Sequence, residues 1–105
     1  MKRYTVRESS HAKRDLDAAV SYIADTLKNT DAAKSLLLQY ENLIGSLEDF
    51  PLSHPLVHDD LLAFVGYRWA GFSSYMAFFT VDEDAKTVNV HRIVHESRNW
   101  IQLLR

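Results

Sequence analysis

The chain has 105 residues, of which 47% are apolar and 25% charged, with a net charge of −2 and no cysteine. This composition suits one domain, residues 1–105, with a single core, and it excludes disulfides and cysteine-ligated zinc. A net negative charge is unusual for a dedicated nucleic-acid binder, which needs a surplus of Lys and Arg to neutralise phosphates. The chain has no apolar run that could span a bilayer and no apolar segment behind its basic start, so we expect a cytoplasmic protein.

The first half of the chain predicts a short strand and two amphipathic helices. Residues 4–9 alternate as a strand does, and Ser9 or Ser10 is placed to cap the helix that follows. Apolar residues spaced by three or four mark one face of each helix: Leu16, Val20, Ile23 and Leu27 in the first, and Ala33, Leu37, Tyr40, Ile44 and Leu47 in the second, with Leu36 and Leu43 beside them. Thr30 or Asp31 can cap the second helix, so the two are predicted to form an antiparallel hairpin.

The second half of the chain predicts strands. A loop around two prolines leads to three segments rich in β-branched and aromatic residues, LLAFVGYRW, FSSYMAFFTV and TVNVHRIVH. The middle segment is apolar on both faces, which is typical of a central, covered strand. The ending SRNWIQLL predicts a short helix capped by Ser97. The fold class is therefore α+β, with an N-terminal strand and a two-helix hairpin packed on an antiparallel-rich four-stranded sheet.

The last strand contains the candidate proton-transfer residue. A period of two places Val88, Val90, Arg92 and Val94 on one face, and His91 and His95 on the other. His95 ends the strand, where it can exchange a proton near neutral pH. The alternative is a histidine bonded to a nearby backbone group. The five histidines show no metal-ligand spacing, so no metal or other cofactor is predicted.

Two arginines and one tyrosine complete the candidate site. Arg68 and Arg98 can converge on a phosphodiester if their strands are neighbours, because paired guanidinium groups match its charge. The alternative is a set of surface ion pairs with Glu96 or nearby aspartates. Four aromatic residues in or beside the sheet can stack on a base, although such runs more often belong to a core: Tyr67, Trp69, Phe72 and Tyr75.

The ordered pattern resembles the RelE/ParE superfamily of type II toxins over nearly the whole chain. The resemblance is carried by SSHAKRDLDAAVSYIADTL, AAKSLLLQYENLIGSLEDFP, GYR, YMAFFTVDE, VNVHRIVH and SRNW, followed by a terminal LL. No single motif decides it, but the order of the set does. The resemblance implies growth inhibition, a role in plasmid stabilisation, and a hetero-oligomer with a cognate antitoxin that covers apolar surface on the hairpin or sheet.

The resemblance implies two different mechanisms. RelE-like members cleave mRNA on the ribosome without a metal. In that mechanism Arg68 and Arg98 would clamp the phosphate, His95 would move the proton, and Arg92 and Tyr67 would bind the substrate. ParE-like members inhibit DNA gyrase by binding, and a third possibility is an inactive module that only binds its antitoxin. The residues favour the endoribonuclease, although residues 51–66 lack the Lys and Arg expected of one.

Overall fold

The computed structural model describes residues 3–105 and contains four helices and four strands in this part of the chain. In chain order they are β1 (Thr5–Glu8), α1 (Ser10–Ser21), α2 (Thr30–Asp49), α3 (Asp60–Val65), β2 (Arg68–Phe72), β3 (Tyr75–Asp82), β4 (Thr87–His95) and α4 (Trp100–Leu104). The strand order is β1-β4-β3-β2, with β1 parallel to β4 and the other pairs antiparallel. The predicted α+β sandwich is confirmed. Within the described residues, no helix is both long and apolar enough to cross a membrane.

The larger core lies between the helical hairpin and one face of the sheet. Leu36, Leu43 and Leu47 of α2 pack there against Phe79 and Val90 of the central strands. Strands β3 and β4 each have a neighbouring strand on either side and are covered on both faces of the sheet. Their apolar residues are therefore buried. The sequence predicted the hairpin but placed Leu37 on its buried side. Leu37 is in fact exposed and Leu36 is buried, so the buried stripe of α2 is rotated from the predicted one.

The opposite face of the sheet carries a second, smaller core beneath α3 and α4. Phe78 and Val94 from the sheet, with Val57 and Leu62, are its buried members. Trp100 of α4 stacks on Phe78, with ring centroids 5.2 Å apart and planes 27° apart. The sheet face opposite the helical hairpin is therefore partly covered by α3 and α4.

Residues 60–65 form a helix, and the prediction that the first long strand begins there was wrong. Asp59 caps α3, because its Oδ2 accepts a hydrogen bond from the Leu62 N–H at 3.1 Å. Gly66, with φ of 105°, ends the helix in the left-handed region that favours glycine. A short apolar run has no strong periodicity of its own, so these local caps decide between helix and strand.

Two other helix starts differ from the sequence prediction. Asn29, rather than Thr30 or Asp31, caps α2 by accepting the Ala32 N–H at 3.0 Å. Ser97 does not cap α4, because its hydroxyl and backbone N–H contact the ring of His95. Ser9 caps α1 as predicted.

A β-bulge changes the side-chain alternation of β4. Phe78 pairs with Arg92, whereas the next residue of β3, Phe79, pairs with Val90, so His91 is the extra residue. The prediction that Val88, Val90, Arg92 and Val94 share a face was therefore wrong. Before the bulge, Val90 points to the hairpin; after it, Val94 points to the smaller core. His91 and His95 likewise lie on opposite faces.

Removing the Trp100 ring should destabilise the protein, because the ring is partly buried against the smaller core and stacks on the buried Phe78. We expect Trp100→Ala to lower the free energy of unfolding by about 2 kcal/mol, less than a fully buried Trp would. Leu38→Ala is the matched control, since this leucine is exposed on α2. Urea denaturation followed by circular dichroism measures both variants, and equal unfolding midpoints would show that α4 does not stabilise the fold.

Candidate functional site

Asp15 of α1 occupies the edge of β4 that β1 leaves unpaired. The pairing of β1 with β4 stops at Glu8 and Val90, after which the chain turns into α1. The Ser9 hydroxyl then donates to the His91 carbonyl at 2.8 Å, and Asp15 Oδ2 accepts the Ile93 N–H at 3.0 Å. Side chains of α1 thus satisfy the backbone groups that a longer strand would have paired.

Arg92 forms a two-point ion pair with the same Asp15. Its Nε lies 2.8 Å from Asp15 Oδ2 and its Nη2 lies 3.2 Å from Oδ1, and each side chain is only 15% exposed. Its Nη1 also lies 3.5 Å from the Leu103 carbonyl of α4. Arg92 therefore connects α1, β4 and α4, and a substrate could engage its guanidinium only if this pair opened.

His95 and Arg98 line a small cleft between β4 and the hairpin, which we name the His95 cleft. It has a volume of about 220 Å³, and its other lining residues include Asp15, Tyr22 and Tyr75. Arg98 is exposed and, among residues 3–105, has no ion-pair partner. The structure therefore brings His95 and Arg98 together, as the sequence predicted for two members of the site.

The contacts of Ser97 with His95 determine which ring nitrogen of His95 carries the proton. The Ser97 N–H donates to His95 Nδ1 at 3.1 Å, and the Ser97 hydroxyl lies 2.8 Å from the same nitrogen. An Nδ1 that accepts a hydrogen bond carries no proton, so the neutral ring holds its proton on Nε2. His95 is thus arranged as a donor rather than as a base. The sequence analysis assigned Ser97 to a helix cap and missed this role.

Two tyrosines contribute to the His95 cleft, Tyr75, which was one of several candidates for base stacking, and Tyr22, which was not predicted as a site residue. The Tyr75 ring stands perpendicular to the His95 ring at a centroid distance of 5.1 Å. Burial, and to a smaller extent the nearby Tyr22, raise the pKa of Tyr75, so its phenol stays protonated at neutral pH. Tyr22 directly follows α1 and begins a single π-helical turn. No pattern in the sequence predicted this local distortion.

Arg68 lies far from His95 and Arg98. It pairs with Phe79 of β3, whereas His95 pairs with Tyr75, so about four residues of strand, or about 14 Å, separate their positions along the sheet. Strand β3 also lies between β2 and β4, so their strands are not neighbours. Arg68 Nη1 donates to the His54 carbonyl at 2.6 Å. Burial, followed by the charge of Arg68, lowers the pKa of His54.

Tyr67 lies in a different cleft, on the opposite sheet face, which we name the His91 cleft. Its ring is 5.1 Å from the ring of His91, whose Nε2 lies 2.8 Å from the Thr80 hydroxyl. The cleft has a volume of about 630 Å³, and the exposed Asp82, Glu83 and Asp84 line it. Burial lowers the pKa of His91, so this ring is neutral at pH 7.

The five predicted site residues therefore occupy four separate places. His95 and Arg98 share one cleft, and Tyr67 lies in another. Arg92 is paired with Asp15, and Arg68 is bonded to the His54 carbonyl. In the described part of the chain, no group of three or more His, Asp or Glu side chains is placed to hold a metal ion.

Comparison with solved structures defines the class of protein to which this architecture belongs. A chain of the chromosomal ParDE toxin–antitoxin system of P. aeruginosa superposes with a TM-score of 0.71 at 16% identity, covering 89% of this chain and 96% of that one. A chain of the RelBE2 toxin–antitoxin complex of Mycobacterium tuberculosis gives a TM-score of 0.56 at 25% identity, covering 89% and 98%. The fold is that of type II toxins in the RelE/ParE superfamily.

The family follows from the sequence match. The family described as the ParE toxin of the parDE type II toxin–antitoxin system matches residues 6–100. No curated protein is similar enough to match the chain. The chain belongs to the ParE toxin family.

Removing Asp15 should cost more stability than any other single change near the site. Asp15→Ala leaves Arg92 unpaired in a largely buried position and the Ile93 N–H without an acceptor. We therefore expect a loss of about 3 kcal/mol in the free energy of unfolding. Asp17→Ala, an exposed position on the same helix, should change it by less than about 0.5 kcal/mol. Chemical denaturation measures both, and equal losses would contradict the structural role of Asp15.

Stability should fall on mild acidification because of the half-buried His91 and His54. The folded pKa of His91 lies below the ordinary 6.5, so the unfolded chain binds more protons as the pH falls through 6.5. The stability that the neutral His91 contributes is therefore fully present above pH 6.5 and is lost as the pH falls toward its folded pKa. The contribution of His54 to stability has the same sign. We expect a lower melting temperature at pH 5.5 than at pH 7.5.

The His91→Gln variant tests the source of this dependence. Its melting temperature should fall less between pH 7.5 and 5.5 than that of the unaltered chain, and His54→Gln in addition should flatten the profile further. His11→Gln, at an exposed position on α1, is the matched control. Identical pH profiles in all variants would show that neither buried ring is responsible.

Proposed function

We propose that this toxin arrests growth by binding DNA gyrase, the target that membership of the ParE family implies, rather than by cleaving mRNA. One observation carries the proposal: the cations expected to surround a scissile phosphate do not converge. Arg92 is paired with Asp15, and Arg68 is bonded to the His54 carbonyl far from Arg98. Phosphodiester cleavage without a metal needs several donors fixed around one phosphate, whereas a binding toxin needs only a complementary surface.

The charge of the chain supports the same conclusion. The net charge is −2, and residues 51–66 contain no Lys or Arg. Docking on ribosomal RNA relies on Lys and Arg that neutralise phosphates, so an acidic chain is poorly suited to it. A protein target imposes no such requirement.

We further propose that a cognate antitoxin covers the outer surface of the helical hairpin. The neighbours from P. aeruginosa and M. tuberculosis are components of toxin–antitoxin systems. Large apolar side chains are exposed along this hairpin, namely Tyr22, Leu27, Leu37 and Leu38. An apolar stripe of this kind is unusual on a monomer and is typical of an interface. Tyr22 also borders the His95 cleft, so the antitoxin would cover the edge of this cleft as well.

Ribosome-dependent mRNA cleavage is the second candidate, because the His95 cleft holds groups that can bind a phosphate. The neutral His95 ring offers an Nε2–H that can donate a hydrogen bond to a phosphate oxygen, and Arg98 can pair with the phosphate charge. Tyr75 and Tyr22 offer rings for base stacking. The cleft lacks a second fixed cation, which is why this function is ranked second.

Two readouts in the same induced cells separate the candidates. We expect the induced chain to arrest growth, to relax a reporter plasmid and to leave the 5′ ends of translated mRNAs unchanged. New cuts within reading frames, with supercoiling intact, would contradict the proposal in favour of the endonuclease. Unimpaired growth with normal amounts of the folded protein would instead support an inactive module.

Substitution of His95 provides an independent test. Loss of a general acid costs about 10²–10⁴ in rate, so His95→Gln would abolish the toxicity of an endonuclease. We expect the variant to stay toxic and to inhibit purified gyrase within about threefold of the unaltered chain, since inhibition by binding needs no proton transfer at His95. Arg68→Gln is the matched control at a distant position. A harmless but folded His95→Gln variant would overturn the binding mechanism.

A further inference from the structure

We propose that the toxin engages its target through a surface built from α3 and the His91 cleft, and that this surface receives a basic segment of the target protein. We name it the Phe64 surface; it consists of the exposed side chains of Leu61, Phe64 and Val65 together with the His91 cleft. The inference rests on the proposed function, and it names the part of the toxin that performs it.

Within the described residues, no other part of the chain covers the apolar half of the Phe64 surface. Phe64 is 89% exposed, and Leu61 and Val65 are more than half exposed. Leu61 lies three residues before Phe64 and four before Val65 on the same short helix, and these spacings make the three side chains one patch. Leu62, with Ala63 beside it, anchors α3 in the smaller core. Exposed aromatic residues next to aliphatic ones are typical of an interface centre.

The polar half of the Phe64 surface is acidic and offers acceptors. Val65 belongs to both halves, because it also lines the His91 cleft. Asp82, Glu83 and Asp84 line the cleft with exposed carboxylates, and among residues 3–105 no Lys or Arg lines it. A cationic side chain that enters would meet three negative charges and nothing of its own sign.

The inner part of the His91 cleft also suits a cation. The rings of Tyr67 and His91 lie together, and an aromatic face attracts Lys or Arg. His91 does not repel such a guest, since burial keeps its ring neutral at pH 7. The side-chain oxygens of Thr80 and Asn89 line the cleft and can accept its hydrogen bonds. The chemistry therefore fits an Arg or Lys flanked by apolar residues.

The charge of this surface points to the target rather than to the antitoxin. An enzyme that binds DNA carries Lys and Arg on the surface that receives phosphates. The carboxylates of Asp82, Glu83 and Asp84 offer such a surface negative charges in place of phosphates. The antitoxin has a separate apolar surface available on the helical hairpin, across the sheet from the His91 cleft. Two partners would thus use two faces of the toxin.

The test measures binding of the purified full-length chain to purified gyrase and, separately, to its antitoxin, at two salt concentrations. Phe64→Ser removes the centre of the apolar half. The combined variant Asp82→Asn, Glu83→Gln and Asp84→Asn removes the charges and keeps the shapes. Each should weaken gyrase binding by about tenfold or more, and the charge variant should also show a shallower salt dependence. Antitoxin binding should stay within about twofold in both, because the hairpin is unchanged.

The matched control makes the same charge change on the hairpin. The combined variant Asp17→Asn, Asp25→Asn and Glu41→Gln alters three exposed acids there and should leave gyrase binding within about twofold. Melting temperatures show that each variant is folded, which is expected because all the altered side chains are exposed.

The outcomes separate this inference from the proposed function. Failure of the unaltered chain to bind gyrase would overturn the proposed function, and the inference with it. Gyrase binding that both surface variants retain would overturn the inference alone. Loss of antitoxin binding in the surface variants, with gyrase binding intact, would assign the Phe64 surface to the antitoxin and would likewise overturn it.

Discussion

The position of Asp15 at the free edge of β4 is the constraint on which the rest of the structure depends. Strand β1 is too short to pair with all of β4, and the uncovered backbone would otherwise be an open sheet edge beside the core. One carboxylate accepts the Ile93 N–H and forms two bonds to Arg92, whose guanidinium also reaches the carbonyl of Leu103. A helix side chain thus completes a sheet and fixes the end of β4, where His95 stands.

The structural contacts of Arg92 and Arg68 limit how many cations the toxin can offer to a phosphate. Of the three arginines predicted for the site, Arg92 is committed to α1 and Arg68 to the His54 carbonyl, so Arg98 is the one left for a phosphate. What remains is a cleft with one well-oriented histidine and one exposed arginine, Arg98, on one face. On the other face are exposed apolar side chains and acids. This distribution is the basis for proposing protein partners on both sides of the toxin.

The sequence predicts this fold well wherever a pattern extends over several turns or residues. The two-sided apolar pattern of β3 and the spacing in α1 and α2 were sufficient for the architecture. The failures are local. Residues 60–65 are an apolar run too short to show a period, and only the cap at Asp59 and the left-handed Gly66 decide for a helix. Site residues such as Ser97 and Tyr75 depend on which strands become neighbours, and that information lies in three-dimensional packing.

The extra residue at His91 has a consequence for how this protein can vary. The bulge moves the positions that face the larger core from the even-numbered Val88 and Val90 before it to the odd-numbered Ile93 after it, while Val94 faces the smaller core. Loss or gain of one residue here would reverse the facing of everything downstream. Across related proteins, spacing at this point should be preserved even where residue identity is not.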